Sequence, residues 1–155
     1  MTHGYVHSWA LRWMLRHHQQ ARDALLGLLV HDAPAPWHVG KDDIQLEHRV
    51  GRHRADLRVE AADANRRAVT ILIETKVNDE VSDSQIEAYF SGPAEVVLYG
   101  PGLTGLLHDG NDPLDRERWV TGRQVINALA EVDVPDLLRG YLDEVGAQAS
   151  RRLPW

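Results

Sequence analysis

The sequence predicts an α/β protein with a small mixed central sheet flanked by helices. Three observations predict this class. A long helical pattern opens the chain, alternating and aliphatic strands occupy its middle, and a strand-helix-strand order followed by two further helices closes it. With 155 residues, the chain is long enough to bury a core, and we expect a single domain over 1–155.

Composition excludes several classes of protein. Hydrophobic residues make up 43% and charged residues 26%, as in ordinary globular domains, and cysteine is absent, which excludes disulfide frameworks and thiolate metal sites. There is neither an apolar run of about 18 residues nor a signal peptide, so we expect no membrane association and a cytoplasmic location. The net charge of −6 argues against nonspecific attraction to nucleic acid, although six arginines lie in the segment 49–67.

Helices are predicted at both ends of the chain and once in its middle. The predicted spans are about 6–30, 82–90, 122–132 and 135–147. The first shows apolar residues at helical spacing and ends at a Pro-rich loop over 31–40. Ser82 with Gln85, and Thr121 with Gln124, match the capping-box pattern that opens a helix.

Five strands are predicted between these helices, at 44–50, 54–59, 69–76, 95–99 and 119–120. The first three follow one another through short polar turns, so we expect an antiparallel meander. The third, VTILIETK, is mostly β-branched or aliphatic, which indicates a buried strand. Because a helix separates it from the fourth strand, EVVLY, we expect those two strands to be parallel. The Gly/Pro/Asp-rich segment 100–118 is predicted to be a loop.

The buried third strand ends in two ionisable residues, Glu74 and Lys76. Residues two apart lie on the same face of a strand, so these side chains are neighbours, and Asp56 on the preceding strand can approach them across the ladder. Buried charge is costly unless it is paired or holds a metal. Only Lys41 and Lys76 among the 17 basic residues are lysines, which suggests that a compact ammonium is required at this strand end.

This set of residue types suits phosphoryl chemistry. Two carboxylates, a backbone carbonyl and water are the hard oxygen ligands that Mg²⁺ prefers. Such a cation polarises a phosphoryl oxygen and lowers the pKa of a bound water. A lysine beside it can position that water and stabilise the charge that develops on phosphorus.

The order of these residues resembles the PD-(D/E)XK superfamily of restriction-endonuclease-like nucleases. Asp56 is followed, after a hydrophobic strand, by Glu74-Thr75-Lys76. Glu47 stands where many members carry an acidic residue ahead of the Asp. Gly51-Arg52 before RADL resembles the family's G-R-x-D sequence, which leads into that Asp. Ala55 replaces the proline that is common before the Asp, which removes no ligand.

The resemblance continues into the helix after the catalytic strand. Gln85 and Tyr89 match the QxxxY motif found there in a large subset of the superfamily. The similarity spans roughly residues 44–100 well and the ends of the chain more loosely. It implies a restriction-endonuclease-like core and a Mg²⁺-dependent endonuclease, with Mn²⁺ able to substitute, that hydrolyses nucleic acid, with DNA favoured over RNA.

The resemblance also implies a role for each matching residue. The metal would be bound by Asp56, Glu74 and the Thr75 carbonyl, and Lys76 would orient the attacking water. Glu47 would hold a second metal or act through water. Gln85 and Tyr89 would steady the site or the substrate backbone. The exposed phosphate-contacting surface would be the arginine-rich hairpin, with Arg49, Arg52 and Arg54.

Each of these residues also has a structural alternative. An Asp on a strand and a Glu-x-Lys at a strand end can form a solvated ion pair. Gln85 can serve only the capping box, Tyr89 only the core, and Glu47 can face solvent. The arginines can form a solvated hairpin face. The second hypothesis for the whole chain is therefore a noncatalytic nucleic-acid-binding or assembly module that keeps the fold.

Other features carry less information about function. The nine histidines show no zinc spacing, so we expect them on the surface or on helix faces. Trp9 and Trp13 favour a core or interface position over a base-stacking platform. Sequence specificity would come from loops such as 31–43 and 100–118, from a dimer, or from a partner. An isologous homodimer is expected on separate grounds, since cutting both strands of a duplex requires two sites.

Overall fold

The computed structural model describes residues 3–76, 82–101 and 119–151, and these residues contain five helices and five strands. The helices are α1 His3–His17, α2 Gln19–Leu29, α3 Asp83–Phe90, α4 Gly122–Ala128 and α5 Asp136–Arg151. The strands are β1 Ile44–Val50, β2 His53–Ala62, β3 Ala68–Thr75, β4 Glu95–Gly100 and β5 Trp119–Thr121.

The strands form one mixed sheet in chain order, β1-β2-β3-β4-β5. The first three are antiparallel, with Leu57 of β2 paired to Ile73 of β3. The last two are parallel to β3, with Val97 of β4 also beside Ile73. This arrangement confirms the predicted meander and the predicted parallel pair. It places the carboxyl end of β3 in the middle of the sheet, between β2 and β4.

Helices cover both faces of the sheet. The larger core lies between one face and the helices α1, α2, α4 and α5, and it includes Ile71 and Ile73 of β3. The smaller core lies between the other face and α3, where Leu72 packs with Ala55, Val96 and Tyr89. The predicted α/β class, with a small mixed sheet flanked by helices, is therefore confirmed. Within the described ranges, no helix is long and apolar enough to cross a membrane.

The prediction of one long first helix was wrong in one respect, because the chain forms two helices there. The break falls at His18, whose backbone is extended and whose Nδ1 accepts a hydrogen bond from the Ala21 N–H at 3.2 Å. Its Nε2 lies 2.9 Å from the Asp133 carbonyl oxygen, far along the chain. His18 thus caps α2 with one ring nitrogen and ties it to the C-terminal region with the other.

Other predictions agree closely with the structure or lie outside what it describes. Both predicted capping boxes are present, at Ser82 and at Thr121. Most of the predicted loop 100–118 lies outside the described residues. His7, expected on the surface or on a helix face, is a buried helix residue, with Nδ1 2.6 Å from the Tyr141 hydroxyl. Trp13 packs against the core, whereas Trp9 is exposed.

Substitution of Gly122, the first residue of α4, is expected to destabilise the fold. A Cβ there would overlap the Pro101 carbonyl oxygen and lie 2.7 Å from Val145 Cγ1. We expect Gly122→Ala to lower the free energy of unfolding by about 1–3 kcal/mol, measured by urea denaturation. Gly140→Ala is the matched control, because no atom lies within 4 Å of its Cβ position in α5. It should be stabilising by about 0.5–1 kcal/mol; equal destabilisation of both variants would contradict the steric explanation.

Candidate active site

The candidate site lies where β2 and β3 separate. The last pair in their ladder is Leu57 with Ile73, so Asp56 and Glu74 come next on the two strands. In place of a backbone partner, the Thr75 N–H donates a hydrogen bond to Asp56 Oδ2 at 2.7 Å. The N–H and C=O of a residue in an extended strand point to the same side, so the Thr75 carbonyl also lies on the side of Asp56.

The carboxyl groups of Asp56 and Glu74 lie next to each other, and Asp56 affects the pKa of Glu74. Glu74 is only 6% exposed, and the half-buried Asp56 lies next to it where the two strands separate. Burial raises the pKa of Glu74 most, and the hydrogen bond and the negative charge of Asp56 raise it further, to about 8. Ionising both of two adjacent carboxyl groups away from solvent is energetically unfavourable. At neutral pH, the pair therefore holds a proton unless a cation takes its place.

Tyr89 connects α3 to this carboxyl pair. Its hydroxyl lies 2.6 Å from Glu74 Oε2 and 3.0 Å from the Arg54 carbonyl oxygen, so its one hydrogen faces two acceptors. Burial, followed by the hydrogen bond to Glu74, raises the pKa of Tyr89 well above its usual value, so that it stays a donor. Tyr89 is thus both a core aromatic and a direct contact of the acidic pair.

Gln85 connects the acidic pair to the lysine. Its Nε2 lies 3.4 Å from Glu74 Oε2, and its Oε1 accepts from Lys76 Nζ at 3.1 Å. The same Oε1 accepts from the Ser82 N–H at 3.3 Å, as the capping box requires. One side chain therefore closes the helix N-terminus and also contacts Glu74 and Lys76, while the functional role of Gln85 stays a prediction.

Lys76 is held at the site from two directions. Its backbone N–H donates to the Tyr99 carbonyl at 2.8 Å and extends the ladder between β3 and β4 by one residue. Its ammonium group donates to Gln85, and the residue is half-buried. The positive charge of Lys76 lowers the pKa of Glu74 and so opposes the larger effects of burial and of Asp56.

Glu47 lies beside the acidic pair but turns to another partner. Its neighbours Leu46 and His48 pair with Leu57 and Ala55 of β2, which puts Glu47 at the level of Asp56. Its backbone has a φ of 50°, in the left-handed region, and its exposed carboxylate accepts a hydrogen bond from the Tyr5 hydroxyl at 3.0 Å. In the part of the chain that the structure describes, no three His, Cys, Asp or Glu side chains are grouped to hold a metal. The role of Glu47 at a second metal stays a prediction.

Tyr5 is a neighbour of the site that sequence patterns did not reveal. It lies 42 residues before Glu47, at the start of α1, and no local pattern marks it as close to the site. The hydrogen bond to Glu47 raises the pKa of Tyr5 most, and the negative charge of Glu47 raises it further. Only the packing of α1 against the sheet brings this ring to the edge of the acidic pair.

The arginine-rich hairpin forms an exposed cationic surface next to the site. Arg49 and Arg54 are cross-strand partners, and Arg52 lies in the turn beside Gly51, whose φ of 63° suits glycine. All three arginines are exposed. Among the described residues, Arg58 forms an ion pair with Glu60, and no carboxylate neutralises the hairpin arginines. Two like charges facing each other on a ladder are unfavourable, so this surface suits an anion.

The donor set at the acidic pair fits a hard divalent cation. Asp56 and Glu74 supply carboxylate oxygens, and the Thr75 carbonyl oxygen lies on the same side of the strand. Burial and the neighbouring Asp56 raise the pKa of Glu74, as expected where carboxyl groups are brought together without a cation. Comparisons of the chain with protein-family models, with curated proteins and with solved structures found no match. The function of the chain is therefore inferred from this geometry.

Proposed function

We propose that the chain is a Mg²⁺-dependent nuclease that hydrolyses phosphodiester bonds, in DNA in preference to RNA, on a restriction-endonuclease-like core. One observation carries the proposal. The buried carboxyl group of Glu74 lies next to Asp56, accepts a hydrogen bond from Tyr89, and is linked through Gln85 to a lysine at the same strand end. A solvated ion pair would need neither the burial of Glu74 nor the bridge. The motif order Asp, Glu-x-Lys, Gln-x-x-x-Tyr supports the same class.

The residues that would hold the cation are Asp56, Glu74 and Thr75, the last through its carbonyl oxygen. When bound, Mg²⁺ or Mn²⁺ supplies positive charge for a phosphoryl oxygen and a lower pKa for a neighbouring water. With the cation bound, Glu74 would be ionised, because a ligating carboxylate must be deprotonated. Asp56 is kept in place by the Thr75 N–H.

The other residues of the site would orient the Glu74 carboxylate and the attacking water and stabilise charge in the reaction. Tyr89 and Gln85 both donate to Glu74 Oε2, which fixes the orientation of that carboxylate. The hydrogen bond to Gln85 fixes the position of the Lys76 ammonium group. Lys76 would orient the attacking water and stabilise the negative charge that develops on phosphorus. We infer that the exposed hairpin arginines contact substrate phosphates. An isologous homodimer stays a prediction.

The test is cleavage of plasmid DNA, single-stranded DNA and RNA in Mg²⁺ or Mn²⁺, with calorimetric metal titration of the same protein. We expect metal-dependent cleavage that prefers DNA, and loss of both metal binding and cleavage in Asp56→Asn. Metal binding without cleavage of any of these substrates would contradict the proposed nuclease activity. Nucleic-acid binding without metal binding would support the noncatalytic module instead.

Neutralising the hairpin should weaken binding to nucleic acid and reduce its dependence on salt. We expect the double variant Arg49→Gln, Arg54→Gln to lower the slope of log affinity against log salt by about two, because two side chains no longer neutralise a phosphate. Binding is measured by fluorescence anisotropy over a range of KCl concentrations. Arg67→Gln is the control, because Arg67 is exposed in the turn at the other end of β2. Equal slopes for both variants would exclude the hairpin from the binding surface.

A further inference from the structure

A strip of exposed apolar side chains borders the candidate site. Five large hydrophobic residues are exposed among those that the structure describes, and four lie on α1 and on the edge strand β1. These four, which we call the α1–β1 strip, are Tyr5, Val6, Trp9 and Leu46. Tyr5 is 62% and Trp9 42% exposed. Exposed aromatic rings clustered on one surface indicate a binding site.

The strip contacts the candidate site directly. The Tyr5 hydroxyl donates to Glu47, and the residues on either side of Glu47 in β1 pair with the residues on either side of Asp56 in β2. Trp9 is one helical turn beyond Tyr5, on the same side of α1. Leu46 precedes Glu47 in β1. A molecule bound on the strip would therefore approach the carboxyl pair from the side of Glu47.

Cationic residues continue the strip along β1. Arg49 and its cross-strand partner Arg54 are exposed, and they point to the α1 side of the sheet because their neighbours Val50 and Ala55 pack in the smaller core on the α3 side. Proteins bind single-stranded nucleic acid with this combination, in which aromatic rings stack on bases and arginines contact phosphates. A fully paired duplex would offer no free base faces to the rings.

We propose that the α1–β1 strip binds unpaired bases of the substrate strand, so that the preferred substrate has a single-stranded segment next to the scissile phosphate. The inference deepens the proposed nuclease and rests on it for the position of that phosphate. Tyr5 has two roles in this arrangement. Its ring stacks on a base, while its hydroxyl donates a hydrogen bond to Glu47.

The test is binding of a fluorescein-labelled oligothymidylate, and of a duplex of equal length, with Ca²⁺ replacing Mg²⁺ to suppress cleavage. We expect the wild-type protein to prefer the oligothymidylate. Tyr5→Ala and Trp9→Ala should each weaken its binding about tenfold or more, the usual effect of removing a stacked aromatic, and should leave duplex binding unchanged. Tyr5→Phe should bind as wild type, because it keeps the ring and removes only the bond to Glu47.

Leu137→Ala is the control for removal of an exposed apolar side chain, since Leu137 lies on α5 and is 70% exposed. It should bind both probes as wild type. Unchanged oligothymidylate binding in both Tyr5→Ala and Trp9→Ala would overturn the inference. So would sedimentation of the wild type as a dimer that Trp9→Ala dissociates. Neither result affects metal-dependent plasmid cleavage by the wild type, whose absence would instead contradict the proposed nuclease.

Discussion

Replacing Lys76 by alanine is expected to lower the rate of phosphodiester cleavage by about 10²–10⁴-fold while the fold and metal binding persist. Lys76 is held through its ammonium group by Gln85 and through its backbone by Tyr99. The backbone bond survives the substitution, whereas the positive charge beside Glu74 is removed. Single-turnover cleavage at saturating Mg²⁺ measures the rate, and calorimetry measures metal affinity.

The chain provides a matched control for this experiment. Lys41 is the only other lysine and is exposed in the loop before β1, so Lys41→Ala should cleave as wild type. Gln85→Leu should reduce the rate less than Lys76→Ala, because it removes the bridge but keeps the ammonium group. Full activity in Lys76→Ala, together with no activity in Asp56→Asn, would exclude Lys76 from the chemistry.

Without a divalent cation, the free energy of unfolding should fall as the pH rises from about 5 to about 8. In the folded protein, the pKa of Glu74 is raised from its ordinary value of 4.5 to about 8. Between those values, the folded protein keeps a proton that the unfolded chain has released. Raising the pH therefore favours unfolding, by on the order of a few kcal/mol across the window. Urea denaturation in EDTA at several pH values measures this decline.

Glu74→Gln isolates the contribution of this carboxyl group to the pH dependence. Glutamine keeps the shape and still accepts from Tyr89, but it has no proton to release in this window. The variant should therefore lack most of the decline in stability between pH 5 and 8. A decline equal to that of the wild type would show that Glu74 does not hold the shared proton.

Mg²⁺ should restore the free energy of unfolding that the wild type loses between pH 5 and 8, and it should have no such effect on Glu74→Gln. The cation replaces the shared proton, so it should stabilise the wild type most near pH 8, where Glu74 is ready to ionise. Calorimetry in buffers of different ionisation enthalpy should show about one proton released on binding at pH 7. Mg²⁺ binding without proton release would show that Glu74 does not hold a proton at pH 7.

Much of the fold follows from local patterns in the chain. The aliphatic run of β3 predicted a buried central strand, and the helix after it predicted a parallel partner, as observed for β4. The capping boxes at Ser82 and Thr121 predicted the starts of α3 and α4. These features depend on hydrogen bonds and periodicities within a few residues. For the same reason, the proximity of Glu74 and Lys76 could be predicted from their spacing alone.

The break at His18 shows where local patterns stop being sufficient. The apolar spacing of residues 6–30 fits one helix, and nothing within that segment requires a break. The capping bond to Ala21 competes with helix continuation, and the contact with Asp133 favours the break through a residue 115 positions away. Tertiary contacts thus decided between two local structures of similar energy.

The sequence by itself determined the fold class, the order of the strands and which ionisable residues meet at the end of β3. Only the tertiary structure decided how those residues act on one another. Tyr89 donates to Glu74 because α3 packs on that face of the sheet, and Tyr5 reaches Glu47 because α1 packs at its edge. The raised pKa of Glu74 likewise has burial as its largest cause. Burial and contacts between distant residues exist only in the folded chain, because packing creates both.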